Sequence, residues 1–403
     1  MRNSLLIIIS TAAFVLASPL LAQEKHEVTV TSIVVPVRVM DGDNFVENLT
    51  VEDFDVLENL VPQKIQALYL VKKADIQRQQ GSQEFNPAVS RSFFLLFQLT
   101  EYNPKLTDLI DYLFRQVLLP ADTMVIQTPM KSYSLSPQAL ARKPKEELAE
   151  EMNSLLKKDI KTGNTEYNSL LNDLKRIVRN ISGTSMRGDI ESDSATSTSG
   201  LEFMLTRYKD AVARMEEHRL IDERKIFRFA QALKRVEGQK NVFFIYQREF
   251  RPEIQTVVLN SLLDSYQDQP NVMSDLQDMF QFYSRDLSVD AELLKKAFAD
   301  ASINFNFIFM NKEPENISGL AMREQSEDVF RAFSQVVTAT GGIVDTSQNP
   351  VSGFKHAIES SEKYYLLYYS PENYQPDGQF KNILVRVKNP NYSVLHRLGY
   401  FAN

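Results

Sequence analysis

Three short apolar runs, dense in phenylalanine, constrain this chain most. They are Phe93-Phe-Leu-Leu-Phe97, Val242-Phe-Phe-Ile-Tyr246 and Ile303-Asn-Phe-Asn-Phe-Ile-Phe309. A strand with one wet face alternates apolar and polar residues. These runs are apolar nearly throughout, so they read as strands buried on both faces. Between them the apolar period changes to that of a helix. Leu106, Leu109, Ile110, Leu113, Phe114, Val117 and Leu118 share one helical face. Asn103 is placed to cap that helix, with Pro104 at its first position. Thr123–Gln127 adds another strand. Buried strands alternating with amphipathic helices specify a mainly parallel sheet covered by helices. A doubly wound α/β domain is therefore expected over residues 92–361.

The same reading places a long helical region inside that domain. Leu148, Met152, Leu155, Leu156 and Ile160 share one face; Leu170, Leu171, Leu174, Ile177, Val178 and Ile181 share another. Residues 182–200 are rich in Ser, Thr, Gly and Asp and read as a loop. Helical periodicity returns over residues 204–236, 289–301 and 327–339.

Both ends of the chain are β-rich instead. Residues 28–39 alternate as a strand, Asp41-Gly42 signals a turn, and Phe54–Glu58 and Lys64–Leu70 follow as short strands. Residues 73–91 are polar and Gln-rich and read as a linker. At the far end, Tyr364-Tyr-Leu-Leu-Tyr-Tyr369 and Lys381-Asn-Ile-Leu-Val-Arg-Val-Lys388 are strands separated by Asp377-Gly378. Neither end has enough strands to bury a face alone. Residues 23–72 and 362–403 are therefore expected to meet as one small β-sandwich, with the α/β domain inserted between them.

Composition narrows the function classes. A net charge of −7 over 403 residues argues against a general nucleic-acid binder. The absence of cysteine excludes disulfides, thiol nucleophiles and thiolate metal sites. Met1-Arg2 precedes the apolar run Leu5–Leu16 and the small residue Ala22, which reads as a secretory signal peptide over residues 1–22. No second apolar run is long enough to span a bilayer, so no membrane span is expected after cleavage. A secreted or periplasmic location follows.

The C-terminal block carries a family resemblance. Thr340-Gly341-Gly342 after a helix, the tyrosine-rich strand ending at Ser370-Pro371, Asp377-Gly378, Lys381–Lys388 and Arg397-Leu-Gly-Tyr400 resemble the ending of secreted bacterial von Willebrand factor A-related proteins. Leu49, Glu52-Asp53-Phe54, Val56, Glu58 and Gln63-Lys64-Ile65 resemble that family's N-terminal part. The resemblance implies a von Willebrand A-type sheet with a divalent cation above the C-terminal strand ends. In the family an Asp-x-Ser-x-Ser loop after the first strand holds the ion. Mg²⁺ needs hard oxygen ligands and keeps a position open for a partner's carboxylate.

This chain departs from that motif. After Phe93–Phe97 the loop reads Gln98-Leu99-Thr100-Glu101-Tyr102, so Gln98 replaces the leading Asp and Tyr102 the second Ser. After Val242–Tyr246 the expected Ser-Asp-Gly is Gln247-Arg248-Glu249. The anchoring carboxylate is gone and a cation, Arg248, stands where an acidic ligand belongs. The sequence thus leads us to expect a degenerate site with no metal and no cofactor. Gln98, Thr100, Glu101, Tyr102, Arg248 and Glu249 remain as candidate binding residues on a crest formed by residues 98–103, 248–252 and 311–319. Arg248 is the first choice for a partner's carboxylate.

Other motifs are weaker. Asp345-Thr346-Ser347-Gln348-Asn349 imitates the metal motif but follows the last strand, and reads as a strand end and turn. Arg187-Gly188-Asp189 is an adhesion-type tripeptide that three common residues produce by chance. The four histidines, His26, His218, His356 and His396, lack ligand spacing. Gly183-Thr184-Ser185-Met186-Arg187 lacks the closing glycine of a nucleophile elbow. The sequence therefore points to an exported protein-binding or scaffolding module, not an enzyme, with an unknown protein partner in the envelope or outside the cell. Two alternatives stay open. One is a metal-dependent adhesion protein in which Glu101 or Glu249 serves as a ligand; the other is a hydrolase with an unrecognised site.

Overall fold

The computed structural model describes residues 31–186, 198–219, 223–283, 289–317, 320–347 and 349–403. The expected signal peptide, the alternating positions Val28 and Val30, and Arg187-Gly188-Asp189 lie outside the described residues.

The three apolar runs lie side by side at the centre of one sheet. Its strand order is Val344–Asp345, Ile303–Met310, Gln239–Gln247, Arg91–Gln98, Thr123–Gln127 and Ser132–Leu135. The first five are parallel to their neighbours; Ser132–Leu135 pairs antiparallel at the edge, so the sheet is mixed. Successive side chains on a strand point to opposite faces, and both sets are buried here. Phe93, Leu95, Phe97, Phe243 and Ile245 pack with the helices Lys105–Tyr112, Lys145–Gly163 and Pro350–Ser361. Phe94, Phe244, Tyr246, Phe305 and Phe307 pack with Glu223–Lys234, Ala291–Asp300 and Glu327–Thr340 on the other face. Pro104 is the N-cap of the helix Lys105–Tyr112, one place later than expected, and Asn103 Oδ1 just before it accepts from the Lys105 N–H at 2.9 Å.

Strands from the two chain ends pair directly. Lys363–Tyr369 lies between Ile33–Asp41 and Ile65–Lys72, antiparallel to both. Phe380–Val387 pairs with Phe54–Glu58 in a second sheet. Val35, Val37, Phe54, Val56, Tyr365, Leu367 and Val385, from both sheets, form one buried cluster.

Three sequence readings need correction. The stretch read as a linker over residues 73–91 contains a strand, Asp75–Gly81, on the edge beside Ile65–Lys72. Edge pairing uses backbone groups and leaves side chains in water, so a polar sequence is compatible with it. The loop expected over 182–200 is shorter at both ends: one helix runs on to Met186 and the next begins at Thr198. Finally, Thr165–Met186, Thr198–Arg219, Thr256–Ser265 and Pro270–Tyr283 do not cover the central sheet. They pack with each other and with Phe250–Ile254 and Leu320–Glu324, a separate two-stranded ribbon.

The Thr340-Gly341-Gly342 motif has a steric cause. Gly341 ends the helix Glu327–Thr340 in the left-handed conformation, φ 72°. At Gly342 a Cβ would stand 1.7 Å from the Phe305 carbonyl oxygen, on the central sheet. Replacing Gly342 with alanine must therefore push strand and helix apart. Urea denaturation of Gly342→Ala is expected to show a loss of about 3 kcal/mol, the scale of an overpacked core. A loss near zero would mean the helix end does not sit that close.

The tyrosines of the sandwich set a second expectation. Burial raises Tyr368 to about 12, and also raises Tyr364, Tyr369 and Tyr400 from 10.0. Tyr369 and Tyr400 both donate to Glu58 Oε2, at 2.7 and 2.9 Å, which favours the protonated phenol further. In the unfolded chain these groups ionise near pH 10, while in the fold they keep their protons. The stability they supply is complete below that pH and is lost as pH rises through about 12. In an alkaline titration, buried tyrosinate absorbance should appear together with loss of the β ellipticity signal. Full tyrosine ionisation near pH 10 with that signal intact would contradict it.

Candidate functional site

The crest at the C-terminal strand ends is held by one side chain. Gln247 ends the central strand, next to the end of Arg91–Gln98, with Tyr246 opposite Gln98 in the ladder. Its side-chain carbonyl accepts three hydrogen bonds from the neighbouring loop: Thr100 N–H at 3.1 Å, Thr100 Oγ1 at 2.9 Å and Glu101 N–H at 3.1 Å. Gln247 is 3% exposed and Thr100 7%. Asn164, the residue ending the helix Lys145–Gly163, pins the same loop from the side by donating to the Leu99 carbonyl at 2.6 Å. The surviving hydroxyl of the expected motif is thus tied to a neutral amide of its own chain.

The charged candidates are also engaged. Glu101 pairs with Lys312 at 3.2 Å. Arg248 lies 3.1 Å from Glu324 and 5.6 Å from the Phe309 ring centre. Glu249 is buried, and with Thr100 and Lys312 it lines a void of about 10 Å³, the room of one water at most. Tyr102 hydrogen-bonds Thr107 at 2.8 Å. Gln98 is half-buried at its strand end.

The structure therefore brings Thr100, Glu101 and Glu249 together, and sets Arg248 apart on its own pair. Arg248 stands beside Glu324, so a carboxylate that reaches it must displace that pair. One expectation is corrected. Residues 248–252 are not an open loop: Phe250–Ile254 is a strand, and Arg251 is buried with Glu216 at 3.1 Å and Glu253 at 2.6 Å. Asp345 accepts from the Ser347 N–H at 3.1 Å and Oγ at 2.7 Å, the geometry of a turn. Among the described residues no three His, Asp or Glu side chains gather as metal ligands would.

Sequence reasoning missed Gln247 and Asn164, and included Lys312 only as part of the span 311–319, without its pairing to Glu101. For Gln247 a signal existed: a long amide at a parallel strand end, adjacent to a loop with a hydroxyl and two free N–H groups. Lys312 and Asn164 had none, because their partners are set by loop paths.

No known family pattern matches the chain, and no curated protein matches it. Among solved structures it is similar to an aerotolerance-related membrane protein from Bacteroides fragilis carrying multiple mutations to serine. That match has 11% identity and a TM-score of 0.27 over 68% of this chain and 98% of that one. It is also similar to the human COPII-coat protein Sec24c, with 8% identity and a TM-score of 0.33 over 79% of this chain and 44% of that one. No helix among the described residues is long and apolar enough to cross a membrane.

Gln247→Ala should leave the buried Thr100 N–H and the part-buried Glu101 N–H without their acceptor. The expected cost is about 2 kcal/mol in denaturant titration, with faster amide exchange at Thr100 and Glu101. Unchanged exchange at these two amides would contradict the assigned role of Gln247.

Proposed function

We propose that the chain is an exported, von Willebrand A-like protein-binding module that engages its partner through the crest without a cation. The three hydrogen bonds accepted by Gln247 carry this reading. They anchor the loop on a neutral amide of the chain itself, so its position depends on no ion. A doubly wound, von Willebrand A-type sheet is supported by five parallel strands with helices on both faces and by the glycine pair at Gly341-Gly342. Export is supported by the signal-like residues 1–22.

Recognition on such a crest rests on exchange of charge pairs. Arg248 and Glu324 have side chains 34% and 26% exposed, so a partner's carboxylate can replace Glu324 without uncovering the core. A partly exposed pair contributes little to folding, about 1 kcal/mol or less, and gives it up cheaply.

One observation favours a second reading, binding through a helix face. Val257 and Phe203 are 77% and 63% exposed on the helical cluster beside the crest. Capture of envelope proteins by the full chain separates the two. Arg248→Ala is expected to reduce capture at least ten-fold, while Val257→Asp leaves it unchanged. Undiminished capture by Arg248→Ala rejects the crest, and loss with Val257→Asp assigns the interaction to the helices.

A further inference from the structure

At the opposite end of the central sheet from Gln247 lies a cavity of about 300 Å³. Its walls come from the starts of the strands Gln239–Gln247 and Ile303–Met310 and from the outer face of the sandwich sheet. Its rim reaches solvent at Ala88 and Glu237, both exposed. The volume is at the lower end of the range of small-molecule sites, about 300–1,000 Å³.

Three buried cations line it: Arg38, Lys240 and Arg397. None donates to a carboxylate among the described residues. Arg38 donates to the Ser360 carbonyl at 3.4 Å, Ser360 Oγ at 3.1 Å and Asn304 Oδ1 at 3.1 Å. Lys240 donates to the Val236 carbonyl at 2.9 Å. Arg397 donates to the carbonyls of Asp300 at 3.4 Å and Val34 at 2.7 Å, and its buried Nε has no acceptor. The carboxylate of Asp300 is occupied elsewhere, by Lys234 at 2.8 Å and the Phe401 N–H at 2.8 Å. His396 adds no positive charge. Its Nε2 accepts from the Val385 N–H, its Nδ1 donates to the Arg397 carbonyl, and burial lowers its pKa.

Burying a cation costs several kcal/mol unless it is well paired. Burial lowers Arg38 to about 10 and Lys240 to about 8; the charge of Arg397 lowers Lys240 further, and the nearby Asp300 carboxylate offsets only part of this. A fold that holds three such groups around one cavity makes sense if the cavity receives negative charge. Tyr364, Leu366 and Tyr368 give the cavity an apolar side, and Glu237 at the exposed rim is the carboxylate in its lining.

We propose that this cavity binds a small organic acid, its carboxylate or phosphate oxygens taken by Arg38, Lys240 and Arg397 and its apolar body set against Tyr364, Leu366 and Tyr368. The site is independent of the crest.

The test titrates the full chain with sodium benzoate, inorganic phosphate and sodium chloride at matched ionic strength, read by thermal melting and calorimetry. Benzoate is expected to raise Tm saturably, and Arg38→Gln and Lys240→Met each to weaken its affinity at least ten-fold. Lys240→Met replaces a buried cation with an apolar chain of similar length, so without ligand it should melt no lower than the parent. If Arg38→Gln does not fold, Lys240→Met alone decides. A shift that chloride reproduces, or benzoate affinity unchanged in Lys240→Met, overturns the proposal. Saturation by phosphate but not benzoate overturns the organic-acid assignment.

Discussion

The strand Lys363–Tyr369 is the constraint on which the rest depends. It sits between Ile33–Asp41 and Ile65–Lys72, so residues from the two far ends of the chain form adjacent ladders, such as Val35 opposite Leu367. Its two faces serve two layers. Tyr365, Leu367 and Tyr369 fill the sandwich core, while Tyr364 and Leu366 face the other way, into a smaller cluster and the cavity wall. The central strand of this sheet comes after the α/β segment in the chain. Closure of the sandwich therefore waits on a long loop, which chain entropy makes slow rather than costly.

This arrangement fixes the two sites at opposite ends of one strand. Lys240 is the second residue of the strand Gln239–Gln247 and Gln247 ends it, roughly 23 Å away at the usual rise per residue. The crest end is held by the neutral amide of Gln247, with the pairs Glu101–Lys312 and Arg248–Glu324 around it. The sandwich end holds buried positive charge beside tyrosine and leucine. Both conditions follow from packing. Strand ends that meet only a loop are satisfied by local hydrogen bonds, whereas strand starts that meet a second layer leave a seam.

Much of this was legible in the sequence because burial writes a strong pattern. Phe93–Phe97 and Ile303–Phe309 read as two-faced strands, and two-faced strands they are. Leu106, Leu109 and Ile110 read as a helix face and pack as one. The strand Asp75–Gly81 was not legible, since an edge strand makes no demand on its side chains. Nor was the helical cluster: its apolar faces read correctly as helix, but periodicity does not say which surface a face covers. At the crest, Gln98 was visible at the position where the family that the sequence resembles carries an Asp. What holds the loop was not, because the bond from Gln247 to Thr100 joins residues 147 apart, and only the parallel register puts them side by side.

The central claim is that the crest is closed by the chain's own amide and needs no cation. Thermal melting of the full chain with rising Mg²⁺, Mn²⁺ or Ca²⁺ tests it most directly. The account predicts no saturable rise in Tm for any of the three. A saturable rise that Glu101→Ala abolishes would contradict it and make the crest a metal site with unusual ligands.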